Sequence, residues 1–200
     1  LRVHCDREGF LWLGTKDGLC RYDGYRVLVF RSGLKTPDLL TNNEITCITE
    51  NRNGYLFIGT KKGINILNKR TYQITPVEHN ELKDQEIRTM IVDSEGWIWI
   101  GTLTSVFRCS ADFSFCKRYD SALPVTSVNS IYEDADKKIW VTLWERGLHR
   151  YDSKKDTFVA MPQIGTLNNP FRVFRMIRNN IGYWLGKVEF FCLILKKNRI

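Results

Sequence analysis

Long apolar runs are missing from this 200-residue chain. The longest, Phe190 to Leu195, is six residues; that suits a strand and falls far short of the roughly 18 residues a membrane helix needs. The first residues, Leu1-Arg2-Val3-His4-Cys5, lack the cationic segment and apolar stretch of a signal peptide. They also lack an initiator methionine, and the chain is expected to be an excised piece of a longer one. Paired cysteines are absent: none of the six forms a CxxC, and none of the three histidines stands at metal-ligand spacing, which argues against a zinc site. Each cysteine is expected to be a buried free thiol, although Cys109 and Cys116 flank a predicted hairpin and could face each other across it. No stretch of ten or more residues carries a helical period, which argues against bundles and α/β layers.

What is present is enough apolar and aromatic material, 43% and 12%, to bury a core. The net charge of +8 invites a nucleic-acid reading, but its distribution speaks against one. Residues 171–200 alone carry +6, leaving +2 for the first 170. A nucleic-acid module needs a basic stripe through its repeats, so no nucleic-acid partner is expected.

The chain repeats. Trp97-Ile98-Trp99-Ile100-Gly101-Thr102 has relatives at Leu11 to Thr15, Leu56 to Thr60, Ile139 to Leu143 and Tyr183 to Gly186. The central aromatic falls at 12, 57, 99, 140 and 184, a period of 41 to 45 residues. Each unit reads as four short strands joined by tight turns, for example Asp93-Ser94-Glu95-Gly96 before the second strand and Asp23-Gly24 before a fourth. One motif per four strands at this period predicts an all-β fold, a β-propeller of four-stranded antiparallel blades. The second strand is apolar on both faces, so each blade needs a neighbour on either side. Gly9, Gly54 and Gly96 are expected to supply a left-handed turn residue. Gly14, Gly59 and Gly101 are expected where backbone passes close to the next blade.

The blades are placed at residues 1–30, 45–77, 87–119, 128–161 and 173–186 onward, about four and a half in all, as an incomplete ring or open arc. Residues 187–200 form an atypical basic and apolar tail.

The pattern turn-Gly-x-Leu-Trp-Ile-Gly-Thr, followed by Gly-Leu-x-Arg-Tyr-Asp, resembles the two-component regulator propeller repeat. It is fullest at Glu8 to Thr15 with Gly18 to Asp23, and recurs at Asp93 to Thr102 and at Trp140 with Gly147 to Asp152. The resemblance covers residues 1 to about 186. Thr142 and Ser105 depart from it, each standing where the repeat has glycine, and the pattern stops after Gly186. The resemblance implies the periplasmic sensor region of a bacterial hybrid two-component histidine kinase, acting in signal transduction by sensing oligosaccharides. It implies as partners a glycan-derived ligand and the remainder of a parent kinase or a second copy in a homodimer, with the membrane reached only through segments outside this chain. No cofactor is implied. A protein–protein scaffold without a small ligand is the alternative.

The chain itself carries no kinase motif. His79, in Glu78-His79-Asn80-Glu81-Leu82, lies in a polar connection and not on the helix a phospho-accepting histidine requires. Asp and Glu recur at equivalent turns, which marks them as part of the frame and not as a unique acid–base pair. Binding residues are therefore sought in what does not recur, on the loops joining strand two to three and strand four to the next blade, and on the channel-lining first strands. The candidates are Trp144, Glu145 and Arg146, an aromatic platform beside two charges, and Arg88 and Asn129, which occupy equivalent positions in their first strands.

Overall fold

The structure is a computed structural model. It describes residues 1–33, 39–120, 127–144 and 146–161, and the backbone of three further strands within 171–191.

Four sheets of four antiparallel strands follow one another along the chain. The first holds β1 (Arg2–Cys5), β2 (Leu11–Thr15), β3 (Gly18–Tyr22) and β4 (Val27–Phe30). The second holds β5 (Ile45–Glu50), β6 (Tyr55–Thr60), β7 (Gly63–Asn68) and β8 (Ile74–Pro76). The third holds β9 (Ile87–Val92), β10 (Ile98–Thr102), β11 (Val106–Cys109) and β12 (Cys116–Tyr119). The fourth holds β13 (Val128–Glu133), β14 (Ile139–Leu143), β15 (Gly147–Asp152) and β16 (Thr157–Ala160). A fifth sheet of three strands follows: β17 (Phe171–Met176), β18 (Asn180–Leu185) and β19 (Glu189–Phe191). Within each sheet every strand pairs with its sequence neighbour. The first strands lie against one another, β1 with β5, β5 with β9 and β9 with β13. These are propeller blades around an axis, in a ring that does not close. No helix is present among the described residues.

The core sits between blades. Trp12, Leu19 and Phe30 of blade one meet Ile45, Leu56, Ile58 and Leu67 of blade two. Phe57 and Ile64 of blade two meet Ile87, Ile98 and Ile100 of blade three. Trp99, Val106 and Tyr119 of blade three meet Val128, Ile131 and Val141 of blade four. Successive residues of the second strand thus face opposite neighbours, as a strand's period of two requires.

The glycines do what their positions predict. Gly9, Gly54 and Gly96 hold φ of 91°, 81° and 94°, and Lys137 takes the same left-handed conformation at 61° in blade four. A Cβ on Gly59 would lie 2.4 Å from Cys47 Sγ and 2.8 Å from Ile87 Cγ2 of the next blade, and one on Gly101 would lie 2.5 Å from Val128 Cγ1.

Two expectations are corrected. The sequence pattern places the fourth strands of blades two and three at Thr71 to Val77 and Phe113 to Tyr119, but they begin later, at Ile74 and Cys116, because Tyr72 and Phe113 both adopt φ of 58° and belong to the preceding turns. Cys109 and Cys116 are not free thiols. They stand opposite each other across β11 and β12 and form a disulfide. Of the remaining cysteines, Cys5 is exposed, while Cys20 and Cys47 are half-buried; Cys192 and most of the tail lie outside the described residues.

Candidate functional site

Three blades carry the same β-bulge. In blade two Ile45 pairs with Thr60 and Cys47 with Gly59, which leaves Thr46 unpaired. In blade three Ile87 pairs with Thr102 and Thr89 with Gly101, which leaves Arg88. In blade four Val128 pairs with Leu143 and Ser130 with Thr142, which leaves Asn129. A bulge at a sheet's rim re-aims one side chain out of the pleat. All three bulge residues line one cleft of about 650 Å³ on the axis side of the blades. Arg88 and Asn129 are therefore brought together, as their equivalent sequence positions predict, and Thr46 joins them.

The turn after each second strand adds to the same rim. Lys16 and Lys61 line the cleft from blades one and two. Trp144 holds the corresponding position in blade four, on a turn one residue longer. It is 42% exposed. Neither Trp144 nor Arg146 lines the cleft, and Glu145 lies outside the described residues.

The cleft has a defined charge pattern. Glu86, just before β9, accepts through Oε1 from Lys61 Nζ at 2.8 Å and from Arg88 Nη1 at 3.0 Å. Burial opposes ionisation of Glu86, but the bonds from Lys61 and Arg88 outweigh it and hold the carboxyl below its usual range. Arg2 Nε donates to the Thr46 carbonyl at 2.5 Å, tying blade one to the bulge of blade two. Thr89 and Ser130 add hydroxyls. Thr46, Lys61 and Glu86 were not singled out by sequence reasoning. Lys61 follows the motif's threonine directly and Glu86 precedes a first strand, so their positions in the repeat were the available signal.

Other polar clusters hold the frame. Asp6, Asp93 and Asp134 each accept two turn amides through Oδ1. Through Oδ2 they accept the indole N–H of Trp12, Trp99 and Trp140 at 2.8, 2.7 and 2.7 Å. In blade two the tryptophan is replaced by Phe57, which needs no acceptor, and the turn residue is Asn51, which still caps two amides. Lys69, its side chain 3% exposed, joins Asp6, Glu8 and Glu50 across blades one and two. Asp156 accepts from Tyr119, Tyr151 and Lys117 across blades three and four. His79 lies in a turn whose carbonyl accepts from Leu82 and Lys83. Among the described residues no group of His, Cys, Asp and Glu could hold a metal ion.

Comparison with known proteins bears on this geometry. Extracellular domains from B. thetaiotaomicron superpose well. That of a hybrid two component system is 20% identical with a TM-score of 0.77, over 94% of this chain and 27% of its own. That of a one component system is 25% identical with a TM-score of 0.73, over 90% of this chain and 24% of its own. The chain thus spans about a quarter of the length of these two structures. Virginiamycin B lyase from Staphylococcus aureus shares the fold at 14% identity and a TM-score of 0.71, over 91% of this chain and 61% of its own. No curated protein matches the sequence. The family model described as two component regulator propeller matches residues 39–62, 81–104 and 122–145, each segment running from the connection before a first strand through the second strand. Those matches fall on blades two, three and four, so this part of the chain is built of two component regulator propeller repeats.

Proposed function

We propose that the chain is part of the sensory, ligand-binding region of a two-component signal transduction regulator, and that its cleft takes a glycan-derived ligand. The observation that carries this is the threefold bulge. A constant backbone device presents three different side chains, Thr46, Arg88 and Asn129, to one concave surface. Constant frame with variable contact residues is the arrangement of a recognition surface. Hydroxyl and amide groups beside a charged pair suit the hydroxyl pattern of a sugar. Trp144 and Arg146, exposed on the neighbouring turn, are proposed as outer contacts for a ligand longer than the cleft. A periplasmic location is supported by the extracellular origin of the similar structures and by the Cys109–Cys116 disulfide, since such bonds persist in oxidising compartments. The remainder of a parent sensor kinase, or a second copy of the chain, is the proposed partner that receives the signal.

Calorimetry against an oligosaccharide panel tests this. Binding by at least one saccharide is expected, weakened by Arg88→Ala and Asn129→Ala and less so by Trp144→Ala. If no saccharide binds, and those changes instead abolish capture of a protein partner, the scaffold alternative replaces the proposal.

A further inference from the structure

The cleft's charges go beyond what a neutral sugar requires. Four cationic side chains line it, Arg2, Lys16, Lys61 and Arg88, against two carboxylates, Glu44 and Glu86. Two of the cations come from different blades and converge on a single oxygen, Glu86 Oε1, at 2.8 and 3.0 Å. A guanidinium has five N–H donors and an ammonium three, so one carboxylate oxygen engages only part of what Arg88 and Lys61 can give. Lys16, at the blade-one position corresponding to Lys61, makes no ion pair among the described residues. Besides these charges the cleft presents neutral hydrogen-bonding groups, Thr15, Thr46, Thr89, Asn129 and Ser130.

Building on the sensory role proposed above, we infer that the cleft is made for an anionic saccharide, whose carboxylate or sulfate group is held by Arg88 and Lys61 while its hydroxyls meet the neutral groups. Glu86 is the resident counter-ion. It keeps the two cations oriented when the cleft is empty of ligand, and it competes with the incoming anion. Because Glu86 belongs to the connection between blades two and three, displacing its carboxylate also loosens the link from that connection to Lys61 in blade two.

The sign of one substitution separates this from a neutral-sugar site. Calorimetry on the chain uses three saccharides of one backbone: a uronate-bearing form, a sulfated form and the neutral parent. At least one acidic form is expected to bind more tightly than the neutral parent and to weaken as salt rises. Glu86→Gln keeps the side chain's shape and removes its charge. It is expected to tighten the acidic ligand by roughly tenfold, on the scale of a charge-assisted hydrogen bond, and to leave the neutral parent unchanged. Arg88→Gln and Lys61→Gln are expected to weaken the acidic ligand by a similar factor. The uronate and sulfate arms identify which anion is recognised. Melting temperatures of the variants close to that of the parent chain establish that the fold is intact. Neutral and acidic forms binding alike, with Glu86→Gln without effect on either, would overturn the anionic assignment and leave the sensory proposal standing. No binding by any of the three, or by the wider panel, would overturn both.

Discussion

The pairing of Asp93 with Trp99 can be tested against the protein's own alternative. Asp93 Oδ1 accepts the amides of Glu95 and Trp97, each at 2.9 Å, while Oδ2 accepts the buried indole N–H at 2.7 Å. Asparagine has one acceptor oxygen where aspartate has two. In Asp93→Asn that oxygen stays with the two turn amides and the NH2 group is left facing the indole N–H. Trp99 is 1% exposed, so its donor finds no water. The loss of a hydrogen bond to a charged group, with a buried donor left over, is worth about 2–3 kcal/mol. Trp99→Phe removes ring contacts with Tyr119, Tyr151 and Phe158, whose centroids lie 6.0, 4.8 and 5.9 Å away, and strands Asp93 Oδ2. The double variant Asp93→Asn/Trp99→Phe recreates the Asn51 and Phe57 pair that blade two already uses. In the Trp99→Phe background, the further change at position 93 should cost close to nothing. Urea unfolding followed by far-ultraviolet circular dichroism gives the four stabilities of the cycle. A favourable coupling of about 2 kcal/mol is expected. Additivity to within about 0.5 kcal/mol would refute the reasoning and mark Asp93 as a turn former alone.

Three further outcomes follow from the geometry. Gly101→Ala sets a methyl 2.5 Å from Val128 Cγ1 and is expected to destabilise the chain by about 1–3 kcal/mol, read in the same unfolding assay; a neutral result would mean that the blades can separate without loss. Alkylation of the folded, non-reduced chain is expected to label Cys5 first, spare Cys109 and Cys116, and reach Cys47 more slowly than Cys5, since burial pushes its thiol up to about 12; mass spectrometry of the digest checks this, and modification of Cys47 ahead of Cys5 would contradict its placement. Burial works against ionisation of Asp6, but bonds from Trp12, the Phe10 amide and Lys69 outweigh it and hold the carboxyl below its reference of 3.8. A depressed folded pKa contributes stability above the unfolded value that is lost as pH falls through the folded one. Unfolding free energy should therefore drop as pH goes below about 4, more steeply than in Asp6→Asn, and a flat profile there would contradict it.

The frame was legible because it repeats. Gly59 and Gly101 stand at one position of the motif, and the motif's period places them against the next blade. The bulge residues were half legible. Arg88 and Asn129 announced themselves as charged and polar residues at equivalent places, whereas Thr46 is an ordinary strand residue until its register is seen. Lys61 and Glu86 are 25 positions apart and meet only because one blade's turn folds beside the next blade's connection. The Asp–Trp link was missed although both residues recur, since nothing local to a turn names an indole six residues on. The disulfide was missed for a related reason: spacing allows a cross-strand pair but does not set the register that makes it. The late starts of β8 and β12 depend on left-handed Tyr72 and Phe113, conformations that bulky residues seldom adopt.

The bulge has a consequence for how such a chain can change over generations. Its backbone path is fixed by the strand pairs on either side, and none of the three bulge residues belongs to the hydrophobic clusters between blades. Residues 46, 88 and 129 can therefore be exchanged one blade at a time without emptying a hydrophobic cluster between blades. On the ligand-binding role proposed for the cleft, ligand preference can then drift by single steps while the scaffold stays under selection for closeness of packing.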